Sequence, residues 1–298
     1  MPNCEEFLTL KSRDFVWSDD YLDLIAKRLK LIKCNNVLDI GAGLGHWTIK
    51  ISNLVAKKAK ITACDLDEAW IQKLNENFKN SQGHRRINFV QANAYNLPFS
   101  DNTFDLTTCQ TLLLHLAKPV KALEEMLRVT RPNGLILLSE PENFKNYFFY
   151  DNLANSREVD SILTMGKFWL LLERGKIVHG LGNNSPCSYL LQNLTHLKVK
   201  NIQIYQSDKV QYLYPPYDSL EQKILIEELK LNLHKFEDPQ QYKIAQDFYL
   251  AGGGNNLDFV KSVEIIQKDL LKCLKAIDNN EYTSVTGLPI NLISAQKV

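Results

Sequence analysis

The chain has 298 residues, of which 45% are hydrophobic and 23% charged, and its formal net charge at pH 7 is +1. This length suits one large globular domain, or a core domain with an accessory part, and the absence of a long Lys/Arg block argues against a dedicated nucleic-acid-binding face. Six cysteines without a C-x-x-C pair predict neither a zinc site nor a disulfide framework, and no apolar run is long enough to span a bilayer. Without a recognisable leader segment, we expect a cytoplasmic protein.

The first half of the chain alternates between strand and helix patterns. A helical period follows Asp19 or Asp20, and Val37 to Ile40 then form a short apolar run that ends in the glycine-rich segment 41–45. Further strands are predicted at 61–64, 87–91, 104–109 and 135–139, with helices between them. This alternation predicts a parallel sheet with helices on both faces, whose strands share one carboxyl edge.

The pattern changes after Pro141. Residues 144–185 are rich in aromatic side chains, and 218–277 are almost entirely helical, with breaks near Asp238-Pro239 and at Gly252-Gly253-Gly254. We therefore predict two insertions that fold as a helical cap. The predicted organisation is a core with an N-terminal helix (1–143), a cap insertion (144–185), a core helix and sixth strand (186–205), a helical cap insertion (206–287) and a last core strand (288–298).

The glycine-rich segment points to a nucleotide-like cofactor. Gly41, Gly43 and Gly45 would permit the tight turn and close backbone approach that such a ligand needs after the first strand. Asp65, at the end of the second strand, could accept hydrogen bonds from ribose hydroxyls. A dinucleotide fingerprint would require a third glycine at the position of His46, so we set a dehydrogenase-type site aside.

With these motifs the chain resembles the class I S-adenosylmethionine (SAM)-dependent methyltransferases. The matching stretches are VLDIGAGLGHWT (37–48), ITACDLDEAW (61–70), INFVQANAYNLPFSDNTFDLTTCQTLLLHL (87–116) and RPNGLILLSEP (131–141), in the family's order and spacing. The resemblance implies an α/β fold with a seven-stranded, mostly parallel sheet of order 3-2-1-4-5-7-6 and an antiparallel last strand. It also implies SAM as the cofactor.

The resemblance further implies a cofactor site at the carboxyl edge of the sheet. Its members would be Asp39, Gly41, Ala42, Gly43, Asp65, Leu66, Asn93, Ala94, Cys109 and Gln110. The glycine turn would surround the methionine part of SAM, whose ammonium and sulfonium would meet Cys109 and Gln110. Asp65 would hold the ribose, and Leu66 would pack on the adenine.

The adenine end of this site departs from the family at one position. Asn93 stands where the family commonly has Asp to accept from the adenine amino group, and the Ala94 backbone would lie near the same ring. An amide oxygen can still accept that hydrogen bond. The departure therefore does not remove the predicted adenine contact.

Methyl transfer from a sulfonium is an in-line displacement, so positioning and exclusion of water can supply much of the acceleration. A general base is required only if the acceptor loses a proton, and Glu140 and His115 are the candidates at the carboxyl edge. The six histidines show no spacing that suggests metal ligation.

Our hypothesis about the methyl acceptor rests on the predicted cap. Its aromatic side chains could line a pocket for a small apolar or aromatic molecule; they are residues 147–150, Phe168, Trp169, Tyr212, Tyr214 and Tyr217. We therefore expect methylation of O, N or C of a small molecule, without a membrane or nucleic-acid partner. Two alternatives stay open: a methyltransferase acting on protein or RNA, favoured by basic residues within 140–220, and a non-catalytic SAM-binding protein. A homodimer is also left open.

Overall fold

The chain divides into two compact units. A computed structural model describes residues 15–78, 86–146, 151–287 and 289–298. The sheet unit consists of the described parts of Trp17–Pro141, Ser185–Asp208 and Ile290–Val298. The helical unit is built from the described parts of Met1–Val16, Glu142–Asn184 and Lys209–Pro289.

The described secondary structure has the following bounds. The strands are β1 (Asn36–Ile40), β2 (Lys60–Asp65), β3 (Ile87–Gln91), β4 (Phe104–Gln110), β5 (Thr130–Pro141), β6 (Val199–Gln206), β7 (Gln211–Leu213), β8 (Ser284–Thr286) and β9 (Ile290–Lys297). The helices are α1 (Asp19–Leu29), α2 (His46–Leu54), α3 (Glu68–Phe78), α4 (Pro119–Val129), α5 (Val159–Val178), α6 (Cys187–His196), α7 (Leu220–His234), α8 (Pro239–Ala251) and α9 (Asn256–Asp278). Short 3₁₀ turns occupy Leu31–Lys33, Leu113–His115, Asn143–Asn146 and Ala154–Ser156.

The sheet unit contains a seven-stranded sheet of order β3-β2-β1-β4-β5-β9-β6. Strands β1 to β5 pair in parallel, whereas β9 is antiparallel to both β5 and β6. Because β9 is the seventh strand of this sheet in chain order, the predicted order 3-2-1-4-5-7-6 is confirmed. The predicted last core strand (288–298) corresponds to β9, although residue 288 lies outside the described residues.

Apolar side chains on the strands and helices form the core of the sheet unit. Leu38 and Ile136 are fully or almost fully buried, as are Leu123 and Met126 on one face of α4. Continuous apolar runs of this kind are typical of parallel strands covered on both faces. Trp47 of α2 is also buried, and its indole N–H donates to Thr108 Oγ1 at 2.7 Å, which fixes α2 against β4.

Strand β5 is longer than the predicted strand at 135–139. The segment Arg131-Pro132-Asn133-Gly134, whose residue types are typical of turns, belongs to the start of this strand. The register with β4 shifts in this region, and Asn133 has a φ of 61°. Turn-forming residues therefore make an irregular strand start, a local exception that the residue types alone do not reveal.

The helical unit is mainly α5, α7, α8 and α9, and it also contains a short antiparallel ribbon. The side chain of Asp238 accepts from the Gln240 N–H, and that of Asn255 accepts from the Asp258 N–H, so each caps the helix that follows it. The predicted breaks before and after α8 are thus present. The β7–β8 ribbon lies within the segment that we expected to be helical, and its strands are too short to produce a clear alternating pattern.

Close backbone packing joins α5 to α8. A Cβ added to Gly175 would lie 1.7 Å from the Phe248 carbonyl oxygen, and one added to Gly252 would lie 2.0 Å from the Leu171 carbonyl oxygen. Only glycine permits this approach. The fully buried Phe168 ring lies within the same core, where it packs on the rings of Tyr249 and Phe259.

A buried ion-pair cluster forms the polar centre of the helical unit. Arg157 donates to both carboxylate oxygens of Asp151, at 2.5 and 2.8 Å, and its Nε donates to Asp269 at 2.6 Å. The Tyr282 hydroxyl also donates to Asp151, at 2.9 Å. The charges in this cluster are therefore satisfied within the chain.

Among the described residues, no helix combines the length and apolar character needed to cross a membrane.

Candidate cofactor site

The glycine turn after β1 adopts a conformation that depends on glycine. Gly41, Gly43 and Gly45 have φ values of 69°, 52° and 85°, which L side chains rarely adopt. Gly45 is the N-cap of α2, and the Ala42 N–H donates to the Cys64 carbonyl at 3.0 Å. The turn is thereby attached to β2 and exposes backbone at the carboxyl edge.

The two ends of this turn have different surroundings. A Cβ added to Gly41 would lie 2.7 Å from Leu112 Cδ1, so Gly41 packs against the loop that follows β4. A Cβ added to Gly43 would have no atom within 4 Å. The turn is supported at Gly41 and borders open space at Gly43, which is where a ligand could approach the backbone.

The Asp65 carboxylate lies directly against this turn. Its Oδ2 accepts from the Gly43 N–H at 2.9 Å, and its Oδ1 accepts from the Asp67 N–H at 3.2 Å. Asp65 is half-buried, and the neighbouring Leu66 side chain is 64% exposed. The structure therefore brings together the carboxylate and the glycine turn that the sequence singled out, with an uncovered apolar side chain beside them.

Asp39 is a fully buried carboxylate with one unsatisfied oxygen. Its Oδ2 accepts from the Thr48 hydroxyl at 2.5 Å, whereas its Oδ1 has no hydrogen-bond partner among the described residues. Burial raises the pKa of Asp39 to about 7, although the Thr48 hydrogen bond acts in the opposite direction. A buried carboxylate oxygen without a partner is costly, so a donor from a bound ligand would stabilise this arrangement.

Asn93 follows β3 and is held in a turn. Its Oδ1 accepts from the Tyr95 N–H at 2.9 Å, and an amide oxygen keeps a second lone pair for another donor. The preceding residue, Ala92, donates its N–H to the Asp65 carbonyl at 2.8 Å. Asn93 and the half-buried Ala94 thus begin next to the β2 end that carries Asp65.

Cys109 and Gln110 end β4 and differ in accessibility. Cys109 is fully buried beside Glu140, and burial raises the pKa of its thiol well above the usual range. It therefore acts as a small core residue and not as a nucleophile. Gln110 is half-buried, and its amide lies 3.4 Å from Ser139 Oγ.

Glu140 is fully buried and holds the loop after β4. Its Oε1 accepts from the N–H groups of Leu112 and Leu113 at 3.0 and 2.8 Å, and its Oε2 accepts from that of Leu114 at 3.3 Å. Burial raises the pKa of Glu140 to about 7, and these backbone donors partly oppose the shift. The other catalytic candidate, His115, is exposed at the end of the same loop.

Sequence reasoning did not identify two supports of this site. Thr48 lies nine positions after Asp39 and faces its carboxylate, while the loop 112–114 is fixed by a residue from the next strand. A hydroxyl in the first turn of a helix that follows a glycine turn is a weak signal for Thr48. The backbone donors of the loop leave no signal in the side-chain types.

The aromatic residues predicted to line an acceptor pocket occupy varied environments in the helical unit. Phe168 lies in its core, and Tyr217 is buried with its hydroxyl 2.9 Å from the Tyr282 carbonyl. Tyr212 and Tyr214 stack on each other, and Tyr214 is exposed. Trp169 is partly buried against Phe168, and residues 147–150 lie outside the described residues.

Comparison with known proteins supports a methyltransferase domain. Residues 37–134 match a family described as a methyltransferase domain. The ubiquinone/menaquinone biosynthesis C-methyltransferase UbiE of Escherichia fergusonii is 38% identical over 104 residues, which cover 35% of this chain and 41% of UbiE. The chain therefore matches less than half the length of this curated relative.

Solved structures share the fold at low sequence identity. YcgJ of Bacillus subtilis has a TM-score of 0.52 and 19% identity, over 94% of this chain and 99% of that protein. SpnF, a [4+2]-cyclase, has a TM-score of 0.52 and 18% identity, over 94% of this chain and 80% of that protein. Because one of these proteins is named as a cyclase, likeness of fold alone does not define the reaction.

The residues present fit the cofactor that this family implies. Asp65 and the Gly43 backbone border open space, and the unpaired Asp39 Oδ1 can accept from a donor or face a cation. The matched domain and the strand order agree with this site. Residues 37–134 therefore match a methyltransferase domain, and the residues at the carboxyl edge of the sheet fit SAM as its cofactor.

Proposed function

We propose that this protein transfers the methyl group of SAM to a small, apolar or aromatic molecule. The observation that carries the proposal is the contact between Asp65 Oδ2 and the Gly43 N–H, beside the unsatisfied oxygen of Asp39. These groups form a polar, glycine-lined edge at the carboxyl ends of β1 and β2. Bound SAM supplies an electrophilic methyl group on a sulfonium.

In this proposal the chain mainly binds and orients. Asp65 accepts from the ribose hydroxyls through lone pairs that its backbone donors leave available, and Asn93 accepts from the adenine amino group. The glycine turn and Asp39 hold the methionine part, with Ala42, Cys109 and Gln110 around it. Leu66 covers the adenine. Correct positioning of two reactants accounts for much of the rate enhancement in an in-line displacement.

The acceptor side of the proposal rests on chain topology and on one relative. The helical unit is entered after Pro141 and after Asp208, and the chain returns to the sheet at Ile290, at the edge where β5 and β6 end. We propose that this unit caps the acceptor. The name of UbiE specifies carbon methylation in quinone biosynthesis, which supports an aromatic acceptor and a carbon target. The cytoplasmic location and the homodimer stay predictions.

The contacts of Glu140 favour a positioning role. Because its carboxylate accepts from successive backbone N–H groups of the loop that packs on Gly41, it would hold that loop beside the cofactor turn. His115 and Glu140 remain the candidates for a general base if the acceptor must lose a proton. A Glu140→Gln variant that lowers SAM affinity more than His115→Ala does would support the positioning role.

The decisive experiment measures SAM binding by calorimetry and then methylated products by mass spectrometry across a metabolite pool. Asp65→Ala should weaken SAM binding by about 2 kcal/mol, roughly 30-fold, because charge-assisted hydrogen bonds are lost. Asp67→Ala, two positions away and exposed, is the control and should keep its affinity. Unchanged affinity in Asp65→Ala would disprove the assigned ribose site, and SAM binding without any product would favour the non-catalytic alternative.

A further inference from the structure

A second cavity lies at the opposite edge of the sheet unit. Its volume is about 330 Å³, and it is bordered by Asp105 at the start of β4 and by Gly134 and Leu135 of β5. Asp39, Gly43 and Asp65 lie at the carboxyl edge of the same sheet, where β1 and β2 end. The second cavity is therefore separate from the cofactor site.

Four basic side chains line this cavity. Lys30 and Lys33 follow α1, Arg28 lies in its last turn, and Arg131 comes from β5. Within the described residues, no carboxylate pairs with Arg28, Lys30 or Lys33, and the Arg28 guanidinium lies over the Tyr205 ring, 5.9 Å from its centroid. The partial negative charge at the end of α1, about half an elementary charge, offsets only part of this positive charge.

One carboxylate lines the cavity, and the charge of Arg131 offsets it. Asp105 is 3% exposed, and its Oδ2 accepts from the N–H groups of Asn35 and Asn36 at 2.6 and 3.2 Å. Its Oδ1 lies 2.7 Å from Arg131 Nη1 as an ion pair that lacks hydrogen-bond geometry. Asp105 and Arg131 thus neutralise each other, and the charges of Arg28, Lys30 and Lys33 remain uncompensated.

The remaining lining indicates the size and chemistry of a ligand. Leu29 and Leu135 supply apolar wall, and Gln203 supplies an amide beside the cations. The volume lies at the lower end of the range for small-molecule pockets. A compact anion with a small organic part matches this combination, whereas an extended polyanion would need a longer basic groove.

We propose that this cavity binds a small phosphate-bearing molecule through Arg28, Lys30 and Lys33. A phosphate group places at least one full negative charge, with several acceptor oxygens, among side chains that are donors only. The site would act independently of the SAM edge, and its occupancy does not depend on the methyl-transfer proposal.

The test is calorimetric titration of the full chain with inorganic phosphate and with glycerol 3-phosphate at low salt. We expect saturable binding of glycerol 3-phosphate with a Kd of about 1 mM or tighter. The double variant Lys30→Gln/Lys33→Gln should bind at least about tenfold more weakly and keep the melting temperature of the wild type, because both side chains are exposed. The matched control is Lys57→Gln/Lys58→Gln, which removes two exposed lysines elsewhere.

Three outcomes would overturn the proposal. They are the absence of saturable binding by the wild type, an equal loss of affinity in the control variant, and unchanged affinity in Lys30→Gln/Lys33→Gln. A short single-stranded RNA provides a further arm. If the RNA binds and glycerol 3-phosphate does not, the basic side chains serve an extended polyanion, and the small-molecule assignment is wrong.

Discussion

Asp39 in the sheet unit and Asp151 in the helical unit are both buried carboxylates, but their surroundings are opposite. Asp151 receives a two-point contact from Arg157 and a hydrogen bond from Tyr282. Asp39 receives one hydroxyl, from Thr48, and no described cation pairs with it. A buried charge that the chain pairs serves the fold, whereas a buried carboxylate without a counter-charge is a candidate for a functional site.

The largest expected effect tests the paired carboxylate. Arg157→Met should lower the free energy of unfolding by about 3–5 kcal/mol, because it leaves the buried Asp151 and the partly buried Asp269 without their counter-charge. Urea denaturation measures this loss. Lys167→Met, which breaks an exposed ion pair with Asp258, is the control and should cost less than about 1 kcal/mol. Equal losses of unfolding free energy in the two variants would contradict the distinction between the buried and the exposed ion pair.

The second prediction concerns the unpaired carboxylate, Asp39, where loss of the charge should stabilise the protein. Asp39→Asn should raise the free energy of unfolding at pH 8 by roughly 1 kcal/mol or more, because it removes a buried charge that has no counter-charge. SAM affinity should fall in the same variant. Asp105→Asn is the matched control: this carboxylate of the same unit is paired with Arg131, so its loss should destabilise the protein. Destabilisation by Asp39→Asn would show that other groups of the chain do stabilise the Asp39 charge.

The smallest expected effect is the pH dependence of stability. Burial raises the pKa values of Asp39 and Glu140 to about 7 in the folded protein, above those of an unfolded chain. At pH values between the pKa in the unfolded chain and the raised pKa in the folded protein, the folded state binds more protons than the unfolded state. The stability of the protein therefore falls progressively as the pH rises through 7. Calorimetry should find a melting temperature several degrees higher at pH 6 than at pH 8. Asp39→Asn should reduce this difference in melting temperature. An unchanged difference would show that Asp39 does not contribute to the pH dependence.

The parts of the fold that sequence predicts well depend on local patterns. The glycine turn at 41–45, the strand that carries Asp65 and the cap before Pro239 each combine residue types that few other conformations accommodate. Strand order then followed from the resemblance, and not from local pattern. The start of β5 was missed because Asn133 and Gly134 are typical of turns but lie inside a strand.

The parts that sequence did not predict depend on distant contacts. Glu140 appeared as a catalytic candidate because a carboxylate at a strand end is a common base, whereas its contacts to 112–114 appear only when the strands pair. The contact of Arg157 with Asp269 spans much of the helical unit. Neither residue carries a spacing pattern that identifies its partner, and the unsatisfied oxygen of Asp39 is likewise a property of the folded chain.

The position of β9 has a consequence for how the protein folds. This strand lies between β5 and β6, yet Lys209–Pro289 separate it from β6 along the chain. Closing a long connection costs conformational entropy, and non-local pairing slows folding. A helical unit that compacts early would shorten this connection before β9 enters the sheet. We therefore expect Arg157→Met to slow the refolding of the sheet, although Arg157 belongs to no strand.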